Sequence, residues 1–187
     1  MDPFSYLSVL IGLILGLGIA HLMEGIGQFA RYRGQIAWHW PAKLWVGVLL
    51  ALHIQCWWAM YELRHIESWT FPMFLTVLVQ PILLFLLAAV ALPELQDNQK
   101  IDFESAFAAQ APFTFTVAAL MVLSSLAKEW VLYDRLPHTQ NLAFHVLLVL
   151  LFLAARLVRS SRFQAGVVLL TALLIASYIA RLFGQLA

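Results

Sequence analysis

The sequence predicts an all-α integral membrane protein, a bundle of six transmembrane helices joined by short loops. Of its 187 residues, 63% are hydrophobic and 11% are charged, whereas a soluble domain averages about one half and about one quarter. Six long runs contain no Asp, Glu, Lys or Arg, and each is close to or above the roughly 20 residues that a helix needs to cross a bilayer. These runs are residues 3–23, 44–61, 68–93, 105–127, 136–155 and 163–180.

None of the six runs alternates apolar and polar residues, as the strands of a membrane barrel do. A segment in hydrocarbon must pair its own backbone amides, so the runs are predicted to be helices. Neither a linker nor a low-complexity segment divides the chain, which predicts a single transmembrane domain over residues 1–187. The spans are predicted near residues 4–27, 43–65, 69–92, 109–132, 139–157 and 163–184.

The basic residues of the loops predict the orientation. With the amino terminus outside, seven Lys and Arg residues fall on the cytoplasmic side and four on the outer side, which favours both termini outside. The cytoplasmic set is Arg31, Arg33, Lys43, Lys100, Arg156, Arg159 and Arg162. The outer set is Arg64, Lys128, Arg135 and Arg181. A net charge of +1 supplies no basic field for nucleic acid, so no nucleic-acid partner is expected. The apolar composition makes the lipid bilayer the expected environment.

Small residues form a ridge on the first predicted helix. Gly12 and Gly16 lie one turn apart, and Ala20 continues the series at the same spacing. Such a ridge lets two helix backbones approach closely. It predicts helix packing, either against another span of this chain or against a second copy in a homo-oligomer.

A polar stripe occupies another face of the same helix. His21, Glu24 and Gln28 follow one another at i, i+3 and i+7, which places an imidazole, a carboxylate and an amide side by side. The stripe suits a proton or cation entry site, or part of a metal site that would need further ligands. The structural alternative is a salt-bridged helix end that reaches the lipid headgroups.

The second helix carries polar residues on two sides. At 100° per residue, His53 lies on one side and Gln55 and Glu62 lie on the opposite side, so neither side suits lipid. We therefore expect helix 2 to be central and His53 to be hydrogen-bonded inside the bundle. Glu62 and His65 form a Glu-x-x-His pair, but the sequence contains no second copy of it, so a di-iron site is not expected.

Gln80 and Pro81 lie at the middle of the third run. Proline cannot donate to the carbonyl four residues earlier, that of Val77, and its ring bends a helix, which predicts a kink. A freed carbonyl beside a buried amide is typical of the discontinuous helices that form transporter sites. A purely structural kink is the alternative, because neighbouring helices often satisfy such groups.

Three histidines are candidate haem ligands. Bis-histidine ligation needs two imidazoles at matching depth on facing helices, whereas the predicted topology places His21 low, His53 central and His145 high. No resident metal or cofactor is therefore expected, and haem is the weakest alternative. The sequence has no phosphate loop, Gly-x-Ser-x-Gly or His-Glu-x-x-His, so it gives no positive sign of an enzyme.

Several segments carry a resemblance to a known type of protein. They are residues 2–11 (DPFSYLSVLI), 15–19 (LGLGI), 40–41 (WP), 55–58 (QCWW) and 69–71 (WTF). In these segments the chain resembles a group of small bacterial multi-pass membrane proteins of unassigned function. The resemblance implies a bacterial origin and an inner-membrane location, and it carries no activity.

The polar residues predict an oligomeric channel or transporter for a small ion or solute. The expected path comprises His21, Glu24 and Gln28 on the inner side, His53, Gln55 and Gln80 at mid-membrane, and Glu62, His65 and Arg181 on the outer side. One alternative is a non-catalytic accessory or sensor subunit of a larger membrane complex. A second alternative is a membrane-embedded haem or quinone redox protein.

Overall fold

The computed structural model describes residues 3–31, 39–92 and 102–183, with side chains as far as residue 180. It contains six helices: α1 (Pro3–Arg31), α2 (Trp40–Met60), α3 (Phe71–Val90), α4 (Phe103–Tyr133), α5 (Thr139–Leu157) and α6 (Ser161–Phe183). A short 3₁₀ helix, Tyr61–His65, extends α2, and no strand occurs in these three ranges. All six helices are long and apolar enough to span a membrane, which confirms the predicted all-helical chain with six candidate spans.

Local sequence signals explain several of the helix ends. Pro41 lies in the first turn of α2, where its missing N–H has no intrahelical partner to lose. The Asp102 side chain accepts a hydrogen bond from the Glu104 N–H at 3.0 Å, so α4 begins at Phe103, six residues before the predicted span. Asp134 ends α4 in the left-handed conformation, with φ 49°, which Asp tolerates better than most residues.

Contacts between helix ends show that the helices run up and down. The ring of Tyr6, early in α1, stacks on that of Phe74, early in α3, with centroids 6.4 Å apart. At the other end of α1, the ring of Phe29 lies 4.7 Å from that of Phe103, where α4 begins. We call the end of the bundle that holds residues 133–139 the α4–α5 end, and the opposite end, which holds residues 157–161, the α5–α6 end.

An aromatic cluster joins three helices in the buried interior of the bundle. It consists of Trp45 of α2, Phe115 of α4 and Phe152 of α5, all almost completely buried. Their ring centroids are 5.9 Å (Trp45–Phe115), 6.3 Å (Trp45–Phe152) and 6.1 Å (Phe115–Phe152) apart. These rings join three helices from different parts of the chain, and each large side chain adds an apolar contact that fixes their spacing.

Two prolines lie inside helices. Pro81 is buried near the middle of α3, and the helix continues on both sides of it, while the predicted kink stays a prediction. Pro112 is a second internal proline, in α4, and its carbonyl accepts a 2.6 Å hydrogen bond from the Thr116 hydroxyl. A threonine hydroxyl bonded four residues back in this way often accompanies a bend in a membrane helix.

Candidate functional site

A polar cavity of about 120 Å³ lies among five of the helices, close to the α4–α5 end. Polar side chains from each of these helices line it: Gln55 of α2, Gln80 of α3, Ser125 and Lys128 of α4, His145 of α5 and Tyr178 of α6. Such side chains are expensive to place in an apolar bundle and normally mark a functional site. We therefore take this cavity as the candidate site.

Lys128 carries the positive charge of the cavity. Its Nζ donates a hydrogen bond to the Gln80 Oε1 at 3.0 Å, which links α4 to the middle of α3. Within the described ranges Lys128 forms no ion pair, so a neutral amide is the group that holds this cation. An ammonium group retains three donors, so two remain for water or a solute.

His145 is fixed in one tautomer by its own helix. Its Nδ1 lies 2.7 Å from the Asn141 carbonyl one turn earlier, and a carbonyl only accepts, so Nδ1 carries the proton. In the neutral ring, Nε2 is then an acceptor, and it faces the Ser125 hydroxyl at 3.4 Å. The Asn141 residue itself also lines the cavity.

An apolar lobe of about 90 Å³ adjoins the polar cavity and shares Gln55, Gln80 and His145 with it. Its apolar wall is formed by Val122, Phe144, Leu148, Phe152 and Ile175. The cavity therefore offers hydrogen-bonding groups on one side and hydrocarbon on the other.

A second cavity, of about 150 Å³, lies towards the α5–α6 end and is lined by Trp45, Phe103, Gln110 and Thr114. Trp45 is in ring contact with Phe152, which belongs to the apolar lobe of the first cavity. The aromatic cluster therefore contacts both cavities, one through Trp45 and the other through Phe152, and the two cavities lie towards opposite ends of the bundle.

The three mid-membrane residues of the predicted path lie in two separate places. Gln55 and Gln80 both line the polar cavity. His53 does not: it is fully buried between α1 and α2, and its Nδ1 lies 2.7 Å from the Leu49 carbonyl. Its Nε2 has no hydrogen-bond partner and faces the backbone of Gly18 so closely that an added Cβ would overlap it. His53 is therefore buried and hydrogen-bonded, as predicted. It forms part of the contact between α1 and α2, and no space for an iron atom remains beside its Nε2.

The inner end of the predicted path lies on the surface of the bundle. His21 and Glu24 are exposed and Gln28 is half-buried, because Gly18 and Leu22 occupy the buried face of α1. None of these three lines a cavity described above. A single polar conduit through them is therefore not assembled within the described residues.

Two of the three outer residues of the path are also at the surface. Glu62 and His65 are exposed on the 3₁₀ helix. The side chain of Arg181 lies outside the described residues, as do Arg33 and Lys100, which entered the prediction of orientation.

The predicted small-residue ridge faces away from the bundle. A Cβ atom built at Gly12 or Gly16 meets nothing within 4 Å, and Gly16 and Ala20 are exposed. The close contacts of α1 fall instead at Gly18, against His53, and at Gly25, against Leu92, which follows the end of α3. Packing within this chain therefore uses glycines other than those of the ridge.

No His, Cys, Asp or Glu side chains in the described portion form a group of three that could hold a metal ion. The groups that line this cavity but were not part of the predicted path are Cys56, Ser125, Lys128, Glu129, Asn141, His145 and Tyr178. The available signal was the position of Lys128, which ends a 23-residue charge-free run while its helix continues to Tyr133.

No protein-family model, curated protein or solved structure matches this chain. The resemblance to small bacterial multi-pass proteins therefore stays a prediction.

Proposed function

We propose that the six helices cross the bacterial inner membrane, with both termini on the outer side, and that the chain is an oligomeric channel or transporter for a small ion or solute. The surface of the bundle supports insertion. Large apolar side chains are widely exposed on it, among them Leu13, Leu17, Leu150 and Leu173. In water such a surface would aggregate, whereas in a bilayer it meets the acyl chains.

One observation carries the transport proposal: two cavities approach the same aromatic cluster from opposite ends of the bundle. Alternating access requires a midplane site that opens to one side at a time. In the proposed orientation the polar cavity opens towards the outer side, and Trp45, Phe115 and Phe152 close the way inward. Movement of these rings would connect the polar cavity to the inner one.

Lys128 supports a solute site rather than a structural contact. Cations inside a membrane protein normally pair with a carboxylate or face a wet pathway. The amide of Gln80 orients the Lys128 ammonium without neutralising it. A solute that offers an anionic group would accept hydrogen bonds from the Lys128 donors that Gln80 leaves free.

The transport proposal is tested in proteoliposomes on a solid-supported membrane, with small cations, anions and zwitterions added one at a time. We expect wild-type protein to move at least one of these solutes, and the folded Lys128→Met variant to lose at least about 90% of that signal, as expected when a charge-assisted contact is removed. Lys43→Met is the matched control, since Lys43 lies beside Phe29, remote from the polar cavity, and it should retain the signal. No movement of any solute would contradict transport. Equal movement by Lys128→Met would contradict the role of Lys128 in it.

An accessory subunit of a larger membrane complex is the second candidate. The exposed small-residue ridge of α1 favours it, because Gly16 and Ala20 are exposed and a Cβ added at Gly16 meets nothing within 4 Å, so a partner helix could approach closely. Native mass spectrometry from nanodiscs distinguishes the candidates. Copies of this chain alone support a homo-oligomeric transporter, and a retained partner subunit supports an accessory role.

A further inference from the structure

Two opposite charges line the polar cavity without pairing. Lys128 and Glu129 are consecutive residues of α4, so their side chains leave the helix about 100° apart. No ion pair joins them in the portion of the chain that the structure describes; Lys128 bonds to Gln80 instead. A cavity that presents an ammonium and a carboxylate separately is complementary to a solute that carries both charges.

The solute must carry two opposite charges, and the apolar lobe beside Lys128 and Glu129 adds a third requirement, an apolar group. Val122, Leu148 and Ile175 line the apolar lobe, which opens into the same space as Gln80 and His145. A side chain that extends from a charged headgroup would enter it and lose its contact with water. The volumes of about 120 Å³ and about 90 Å³ are well below the roughly 300 Å³ of a drug-sized pocket, so the solute is small.

We propose that this cavity binds a small zwitterionic α-amino acid with an apolar side chain, of the size of alanine or valine. The carboxylate of the solute accepts from Lys128, its ammonium donates to Glu129, and its alkyl group fills the lobe at Ile175. This proposal rests on the proposed function, because it names the solute of the same site. Binding of that solute is measured without transport.

The native thiol provides the measurement. Cys56 is the only cysteine of the chain and lines the polar cavity. The purified full-length protein in detergent is treated with methyl methanethiosulfonate, a small neutral thiol reagent, and the rate of Cys56 modification is followed by intact mass. L-valine, isovalerate and isobutylamine are compared as protecting solutes, because the last two share its alkyl group but lack the amino or the carboxyl group.

We expect valine to slow the modification with an apparent affinity at least about tenfold better than either analogue, because each lost charge-assisted contact leaves a group in the cavity unpaired. Lys128→Met should reduce valine to the level of isobutylamine, and Glu129→Gln should reduce it to the level of isovalerate. Lys43→Met should leave the protection unchanged, as its lysine does not line this cavity.

A third variant tests the apolar lobe with both charges intact. Ile175→Phe fills the lobe, so valine should lose its protection while glycine retains its own. Calorimetric titration of the same solutes reports binding without any thiol chemistry. Equal protection by isovalerate or isobutylamine, or no binding heat for any amino acid, would overturn the proposal.

The two proposals fail separately. Protection and binding heat with valine, but no flux of any solute in proteoliposomes, would contradict transport and leave the amino-acid site standing. Flux of another solute, with no effect of amino acids on Cys56 or in the calorimeter, would contradict the amino-acid site and leave transport standing.

Discussion

Gln80 and Lys128 join the middle of α3 to the last part of α4 through a single side-chain hydrogen bond of 3.0 Å. They are 48 residues apart in sequence and belong to the two sides of one cavity. The amide also precedes Pro81, so it lies beside the backbone position at which α3 has no N–H to donate. The contact therefore couples the orientation of the only described cation of the cavity to the geometry of α3.

Replacing Gln80 with Leu should destabilise the protein, because the Lys128 ammonium would lose its acceptor. A hydrogen bond to a charged group contributes about 1.5–3 kcal/mol, and we expect a loss of that size in denaturant unfolding in detergent. The double variant Gln80→Leu with Lys128→Met should recover most of it, since no cation is then left without an acceptor.

Gln55→Leu is the matched control for that cycle, because Gln55 lines the same cavity and no hydrogen bond to it is described. It should change the free energy of unfolding by much less. A Gln80→Leu protein as stable as wild type, or a double variant no better than the single one, would show that the contact does not hold the two helices.

Gly18→Ala should destabilise the protein, and Gly16→Ala should not. A Cβ at position 18 overlaps the His53 ring, which its hydrogen bond to the Leu49 carbonyl holds in place. Overpacking of this kind costs about 1–3 kcal/mol. A Cβ at position 16 meets nothing within 4 Å, and Ala in a helix is favoured over Gly by up to about 1 kcal/mol.

Thermal unfolding of both glycine variants in detergent checks this prediction. The expected order of midpoint temperatures is Gly16→Ala at or above wild type and Gly18→Ala below it. Adding His53→Ala to Gly18→Ala should reduce the loss attributable to position 18, because the overlapping ring is then gone. The reverse order of the two single variants would place the close helix contact of α1 elsewhere.

Phe152→Ala should open a leak through the bundle. Phe152 lines the apolar lobe and contacts Trp45, so its removal leaves a gap in the aromatic cluster that contacts both cavities. The core truncation also lowers stability by about 3–5 kcal/mol, so stability is recorded for the same samples. Leu153→Ala, at the exposed neighbour, is the control and should stay tight.

The readout for the leak is stopped-flow light scattering of proteoliposomes after an osmotic step with small neutral solutes. We expect faster re-swelling for Phe152→Ala than for wild type and for Leu153→Ala. A folded Phe152→Ala protein that remains as tight as wild type would show that the cluster is not the barrier.

Gly16→Leu should lower the copy number of the proposed homo-oligomer. The position is exposed and open, so a larger side chain fits the monomer but holds a partner helix away. Native mass spectrometry from nanodiscs measures the result, and Leu17→Ala, on a neighbouring exposed position, is the control. An unchanged copy number would exclude this ridge from the subunit interface.

The helices were predictable because charge-free length alone selects them, and the described helices follow the six runs. The start of α4 was not predictable from apolar length, because the cap that Asp102 provides extends the helix beyond its apolar part. Gln55 and Gln80 were predicted because an amide inside an apolar run stands out. Lys128 was not predicted, because a lysine at the end of an apolar run is normally assigned to the following loop.

The faces of α1 show what spacing cannot decide. The residues His21 and Glu24 share a helix face, as predicted, but only tertiary packing determines whether that face is buried. The structure buries Gly18 and Leu22 instead. The same limit applies to Gly12 and Gly16, whose spacing suits close packing yet faces outward within the described chain.

The sidedness of Cys56 tests the central claim most directly. A membrane-impermeant methanethiosulfonate is applied to right-side-out and inside-out vesicles, with Asp134→Cys and Arg159→Cys in a Cys56→Ser background marking the α4–α5 and α5–α6 faces. The account predicts that Cys56 reacts from the Asp134 face and is protected from the Arg159 face. Reaction from the Arg159 face, or equally from both, would contradict a polar cavity that opens at the α4–α5 end and is closed by the aromatic cluster.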